Sequence, residues 1–204
     1  MSQAGLQPFD VAMMRRCIEL SRAAARAGEI PFASLICRDG EVVAEATNRV
    51  VRDQDVTRHA EIIALGQAQQ VLGSRVLAGC TLYSNVEPCP MCAFPVREAQ
   101  VARVVFALRS PLMGGFSKWN ILRDPELSSV MPEAFGSVPE VVVGLLAREA
   151  EKVWIKWNPI AWTVIRYRGC FDPSPLETSA EVPLERFAPV RGRNFFRQLL
   201  AIHR

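Results

Sequence analysis

Two short stretches carry residues whose types and spacing can do chemistry: His59-Ala60-Glu61 and Glu87-Pro88-Cys89-Pro90-Met91-Cys92. The chain has two histidines, and His203 is next to last, so His59 is the one internal imidazole. A Cys-x-x-Cys at the start of a helix turns two thiolates to one face and toward one metal ion. The imidazole adds a third ligand. Three protein ligands leave the fourth tetrahedral position open, the mark of a catalytic rather than a structural zinc. Water in that position has a pKa lowered to about 7, which makes hydroxide available at neutral pH. Glu61 follows the imidazole closely enough to reach that water without ligating the metal. The spacing therefore assigns one Zn2+ to His59, Cys89 and Cys92, and the proton transfer to Glu61.

Plainer readings explain less. A lone histidine is usually structural, but His59 stands beside Glu61 and 30 residues before Cys89. A closed structural zinc needs a fourth ligand, for which Cys80 is the nearest candidate, and it leaves Glu61 without a purpose. A redox Cys-x-x-Cys leaves His59-Ala60-Glu61 unexplained.

The elements that must position these groups alternate between helix and strand. Asp10 can cap a helix whose Val11, Met14, Cys17, Ile18 and Ser21 keep an i, i+3, i+4 rhythm until Gly28 stops it. Strands over 32–38 and 41–48 meet at Asp39-Gly40, a hairpin turn signal. A polar loop over 48–57 leads into a helix from His59 to about Gly73. A strand over 81–86, a helix from Pro90, strands over 102–108 and 140–146, and a helix over 147–157 complete the pattern. The expected fold is α/β, a three-layer arrangement in which helices flank a central mixed sheet. Beyond Pro159, "AWTVIRYRG" reads as a strand, a proline-rich linker follows, and "NFFRQLLAIH" carries Phe195, Phe196, Leu199 and Leu200 on one helical face.

Composition narrows the partners. Half of the residues are hydrophobic and 22% charged, as in a soluble globular protein. No apolar run approaches the ~18 residues of a membrane span, and the N-terminus has no signal core. A cytoplasmic protein without a membrane partner is expected, its six cysteines reduced or ligating. The net charge is +3, but five arginines and no acid lie from Arg186 onward, so the preceding 185 residues sum to −2. A polynucleotide binder usually shows a basic face on the domain itself. Any such preference must come here from the tail or from local patches.

H-x-E followed by P-C-x-x-C resembles the zinc-dependent cytidine deaminase superfamily. Within it, residues 9–158 resemble the branch of guanine deaminases and bacterial tRNA adenosine deaminases, through "IPFASLI", "EATNRV", "HAEIIAL", "LGSRVLAGCTLY" and "EPCPMC". "EPCPMC" is closer to the guanine deaminases; "ARVVFALRSPLMGG" and "VVVGLLAREAEKVW" are closer to the tRNA enzymes. The resemblance implies a cytidine deaminase-like fold over 1–158, with a C-terminal extension of unknown role over 159–204. It implies hydrolytic replacement of a ring amine by an oxo group, with Glu61 protonating a ring nitrogen and then the departing ammonia. By position, Asn48 matches a base-contacting asparagine, and the backbone N–H of Ala60 is a candidate partner for the base or its developing oxo group. A homodimer is implied as well.

Three features depart from the branch. Ala33-Ser34 replace an expected glycine, Pro95 falls inside the helix begun at Pro90, where it deletes a backbone bond, and residues 159–204 match no part of the pattern. Trp154, Trp157 and Trp162 suit core packing better than base stacking, and the arginine tail suits a solvated face better than a phosphate site. The expected activity is deamination of a small nucleobase or nucleoside, a purine such as guanine favoured. A tRNA-specific adenosine deaminase is one alternative, and a non-catalytic zinc-containing binding subunit is the other.

Overall fold

Strands that are apolar on both faces need helices on both sides of the sheet. The computed structural model describes residues 5–174 and shows that arrangement. In chain order its elements are α1 (Asp10–Arg26), β1 (Ala33–Arg38), β2 (Glu41–Thr47), α2 (Val50–Asp53), α3 (Ala60–Leu72), β3 (Cys80–Val86), α4 (Pro90–Glu98), β4 (Arg103–Leu108), α5 (Pro125–Val130), β5 (Glu140–Val143), α6 (Ala147–Trp157) and α7 (Pro159–Tyr167). The sheet order is β2-β1-β3-β4-β5. β1 runs antiparallel to β2 and β3, while β3–β4 and β4–β5 are parallel, so the sheet is mixed.

Alternation along β3 and β4 assigns the two cores. Tyr83 and Val105 face one way, toward Met14, Cys17 and Ile18 of α1 and Trp154 of α6. Leu82, Val104 and Phe106 face the other, toward Ile63 and Ala64 of α3 and Val96 of α4. This period of two gives the three expected layers. A buried ion pair locks α1 to the sheet. Asp10 is fully buried, accepts from the Tyr83 hydroxyl at 2.6 Å, and receives both Arg103 Nη atoms at 2.7 and 2.8 Å.

The turn chemistry follows the sequence at Asp39 and Gly40, both at positive φ (52° and 79°), as a type I′ hairpin requires. Elsewhere the structure corrects the sequence reading. The stretch after Pro159 is the helix α7, not a strand. Pro159 opens it, and the Asn158 side chain caps it by accepting from Ala161 N at 2.9 Å. The run Thr163-Val164-Ile165 has β propensity, but burial of Trp162 and Ile165 against Trp154 overrides it. β5 ends at Val143 because Gly144 and Leu146 take positive φ, 81° and 56°. The polar loop over 48–57 contains the short α2. α4 runs across Pro95 to Glu98.

Residues 159–174 pack on this same core. Phe171 joins the Trp154 cluster, and Asp172 pairs with Arg109 at 2.6 Å just beyond the end of β4. The arginine tail and the amphipathic stretch from Asn194 lie outside the described residues. No helix of the described chain is long and apolar enough to cross a membrane.

Candidate active site

α3 and α4 begin at one place on the sheet, and each presents a residue of metal-ligating type just before its first turn. His59 and Cys89 are both extended (φ −69°, ψ 148° and φ −69°, ψ 171°), and each precedes its helix directly. Pro90 starts α4 with a fixed φ, and the Cys89 carbonyl accepts from Cys92 N at 3.0 Å, so the turn brings the second thiol round. The positive dipole ends of both helices point to the sulfurs, which favours thiolates there.

The donor atoms converge as a metal requires. His59 Nδ1 lies 3.6 Å from Cys89 Sγ and 3.4 Å from Cys92 Sγ, and the sulfurs are 3.7 Å apart. A tetrahedral zinc, with Zn–S of about 2.3 Å and Zn–N of about 2.0–2.1 Å, separates two sulfurs by about 3.8 Å and sulfur from nitrogen by about 3.6 Å. The residues present fit that ion. Contact with the Cys92 thiol, against the opposing effect of burial, and contact with the His59 ring bring the Cys89 thiol down to about 4. Cys80 does not join the group. It begins β3 and lies six residues from the strand end that faces the metal, about 20 Å away at strand rise. All six cysteines are free.

Glu61 sits in the first turn of α3, 5% exposed, with Ser84 Oγ donating to it at 3.4 Å. Burial pushes its carboxyl up to about 7, the Cys89 charge adds to this and His59 opposes it. His59, Glu61 and Cys89 open onto a cavity of about 520 Å³ that Asn48 also lines. Ala60 is fully buried between His59 and Glu61 and is not among the cavity-lining residues. The rest of the wall is largely hydrocarbon and aromatic: Ile30, Phe32, Val50, Val56, Val86, Leu112, Met113, Trp119 and Phe171. Trp154 and Trp162 are core residues, 1% and 6% exposed.

Two glutamates that spacing did not single out hold this cavity in shape. Glu29, 5% exposed, accepts from Asn48 Nδ2 at 3.0 Å, Arg52 N at 2.7 Å and Val51 N at 3.4 Å. With its nitrogen committed to a carboxylate, Asn48 keeps its amide oxygen for the cavity. Glu87 accepts from Ser110 N, Phe116 N, Ser117 N and Ser117 Oγ at 2.6–3.0 Å. The loop bearing Leu112, Met113 and Trp119 thus wraps one carboxylate. Gly114 passes so close that a Cβ there would collide with the Glu87 carboxylate. An acid inside an apolar stretch, as in "GEIPF", is the signal that could have flagged Glu29, because a buried charge must have partners. Ala33 and Ser34, in place of the expected glycine, fit without strain: Ala33 N donates to Asn85 Oδ1 at 2.8 Å and Ser34 Oγ donates to Tyr83 O at 2.8 Å.

Comparison with known proteins agrees with this chemistry. Residues 8–108 match the cytidine and deoxycytidylate deaminase zinc-binding region. The tRNA-specific adenosine deaminase of Bacillus subtilis is 35% identical over 142 residues, 69% of this chain and 83% of that protein. The chain is also 35% identical over 150 residues to a protein of Deinococcus deserti named tRNA(Ile)-lysidine synthase, but spans only 27% of its length. Among solved structures, a tRNA:A34 deaminase studied for A-to-I editing superposes with a TM-score of 0.62 at 29% identity, covering 70% of this chain and 98% of that one. Guanine deaminase from Nitrosomonas europaea superposes at 0.60 with 28% identity, covering 76% and 94%. The match over residues 8–108 and the kinship with the Bacillus subtilis enzyme, on a chain whose His59, Cys89 and Cys92 can hold one metal ion, place it in the cytidine and deoxycytidylate deaminase family of zinc-binding enzymes.

Proposed function

We propose that this chain hydrolyses the ring amine of an adenine-type base to an oxo group with release of ammonia, and that the base is presented by RNA. The observation that carries the choice of base is the cavity wall. Beyond His59, Glu61, Cys89 and Asn48, its polar lining is Glu87, engaged by loop N–H groups, and Ser110, whose hydroxyl donates to Cys170 O, and the remaining wall is mostly apolar, with Ile30, Phe32, Leu112, Met113 and Phe171. Guanine, whose single exocyclic amine is the group replaced, would bring a ring N–H and a ring carbonyl to that wall, and each polar group buried there unpaired costs about 1–3 kcal/mol. Adenine brings neither. The named tRNA-specific adenosine deaminases among the relatives support the same choice.

His59, Cys89 and Cys92 would hold the zinc ion, which supplies Lewis acidity and activates water. Glu61 takes the proton of the attacking water, delivers it to the ring nitrogen next to the amine-bearing carbon, and carries the next one to the leaving amine. Asn48 orients the base through its amide oxygen. Ala60, which does not line the cavity, is given no part in binding the base. We also take the working assembly to be a homodimer; the exposed Met91 and Phe94 on α4 supply apolar surface for it.

A second reading, free guanine as substrate, is favoured by 38% identity over 95 residues to the guanine deaminase of Bacillus subtilis. Ammonia release from guanine, adenosine and an RNA stem-loop with an unpaired adenosine separates the two. Turnover of the stem-loop adenosine is the expected result. Turnover of guanine alone would overturn the choice of base.

A further inference from the structure

The solvent side of α1 and α6 carries a groove that the deaminase reaction does not use. Arg22 and Arg26 line it from α1, Lys152 and Lys156 from α6, and Val153 and Trp157 form its floor, enclosing about 390 Å³. All four cations are exposed. Among the described residues none of them has a carboxylate within ion-pair distance. The same helices do pair their other cations: Arg15 with Glu149, Arg16 with Glu45 and Glu19, and Arg148 with Glu151. The four that are left stand as two i, i+4 pairs of like charge, a spacing that costs each helix stability. They do so in a chain whose first 185 residues sum to −2. A local concentration of exposed positive charge against that background suits a polyanionic partner.

The position of the groove says which one. Trp157 packs edge-on against Trp154 at 5.7 Å between ring centroids, and Trp154 lies 5.0 Å from both Phe32 and Phe171, which line the catalytic cavity. One layer of aromatic rings separates groove from cavity. Each i, i+4 pair spans about 6 Å along its helix, close to the distance between successive phosphates of a strand. A free phosphate would engage one or two of these cations and leave the others repelling. We infer that the α1–α6 groove binds the sugar-phosphate backbone of the RNA strand whose adenine enters the cavity. The inference rests on the proposed function and deepens it by assigning the surface that holds the substrate.

The test is binding of an RNA stem-loop bearing an unpaired adenosine to the zinc-loaded full chain, by fluorescence anisotropy across a salt series, with inosine formation followed in parallel. The quadruple variant Arg22→Gln, Arg26→Gln, Lys152→Gln, Lys156→Gln removes four phosphate contacts. Its salt slope should fall by about 3, so the affinity advantage of the native protein should shrink roughly 50-fold between about 50 and 200 mM salt. The two helix pairs changed separately should each give about half that slope, which keeps the test open if the quadruple variant folds poorly. A control losing four charges at Arg15, Arg16, Arg75 and Arg148 should keep most of the native slope. Equal slopes for the native and quadruple proteins, or an equal fall in the control, would overturn the groove while stem-loop turnover left the adenine reading standing. A native protein that neither binds nor deaminates the stem-loop would overturn the RNA reading itself, and the groove with it.

Discussion

Glu29→Gln should cost catalysis at least as much as it costs stability, and the structure says why. The native carboxylate accepts three N–H groups, from Arg52 N at 2.7 Å on one oxygen and from Asn48 Nδ2 at 3.0 Å and Val51 N at 3.4 Å on the other. An amide in its place has one oxygen and one NH2. The oxygen will stay with Arg52 N, the shorter contact, so the new NH2 faces the Asn48 amide. Asn48 answers by turning its oxygen to the new donor and its NH2 to the cavity. One hydrogen bond is thereby kept, and the fold loses only the Val51 contact, about 1 kcal/mol. The substrate meets a donor where it had an acceptor, which leaves a polar group facing its like at a cost of about 1–3 kcal/mol, roughly 10–100-fold in kcat/KM. Zinc content and thermal midpoint should stay near native. Adding Asn48→Asp to Glu29→Gln restores an acceptor to the cavity, because a carboxylate takes the new NH2 with one oxygen and keeps the other free. The double variant should therefore recover activity over Glu29→Gln, a coupling that a merely structural role would not produce. Unchanged kcat/KM in Glu29→Gln, or losses that simply add in the double variant, would show that Glu29 does not set the orientation of the Asn48 amide.

Further outcomes follow from the same geometry. Cys89→Ser or Cys92→Ser should release most of the zinc, read by metal analysis after dialysis, because one donor of a three-residue set is weakened. Gly114→Ala should lower kcat/KM and the thermal midpoint together, since the added Cβ displaces the Glu87 carboxylate and with it the loop that bears Trp119; a variant identical to native in both would contradict that packing. For Asp10, burial works against the charged form, but the Arg103 and Tyr83 side chains and Gln7 N outweigh it and hold the carboxyl below its ordinary 3.8. A lowered folded value means stability that is present above the unfolded pKa and lost as pH falls through the folded one. Thermal midpoints measured from neutral pH downward should thus fall steeply only below about pH 4. Arg103→Met leaves the buried carboxylate unpaired and should cost about 3–5 kcal/mol at neutral pH, recovering in part under acid.

How much the sequence disclosed depended on how local each feature is. The candidate ligands could be picked out because Cys89 and Cys92 share a helix turn and Glu61 follows His59 within two residues, while the meeting of His59 with the two thiols is made by the fold. The strands and the Asp39-Gly40 turn were readable for the same reason. Glu29 and Glu87 were not, because most of their partners are backbone N–H groups 22 to 30 residues away, which leave no mark in side-chain spacing. α7 was misread because its β-branched run spoke for a strand, while the deciding contacts, Trp162 and Ile165 on Trp154, come from tertiary packing. Net charge, a sum over the chain, does not report where charges gather: a body that sums to −2 still brings four cations from two helices far apart in sequence into one groove.

The most direct test of the deaminase assignment is turnover in 18O-labelled water by zinc-loaded protein and by Glu61→Ala, with an RNA stem-loop adenosine as substrate. One ammonia released and one labelled oxygen incorporated per inosine formed is the expected result. Glu61→Ala should keep one zinc per chain and lose activity by about 10²–10⁴. Full zinc occupancy with no turnover of stem-loop, nucleoside or free base, and no difference between the two proteins, would contradict the deaminase assignment and leave a zinc-containing binding subunit in its place.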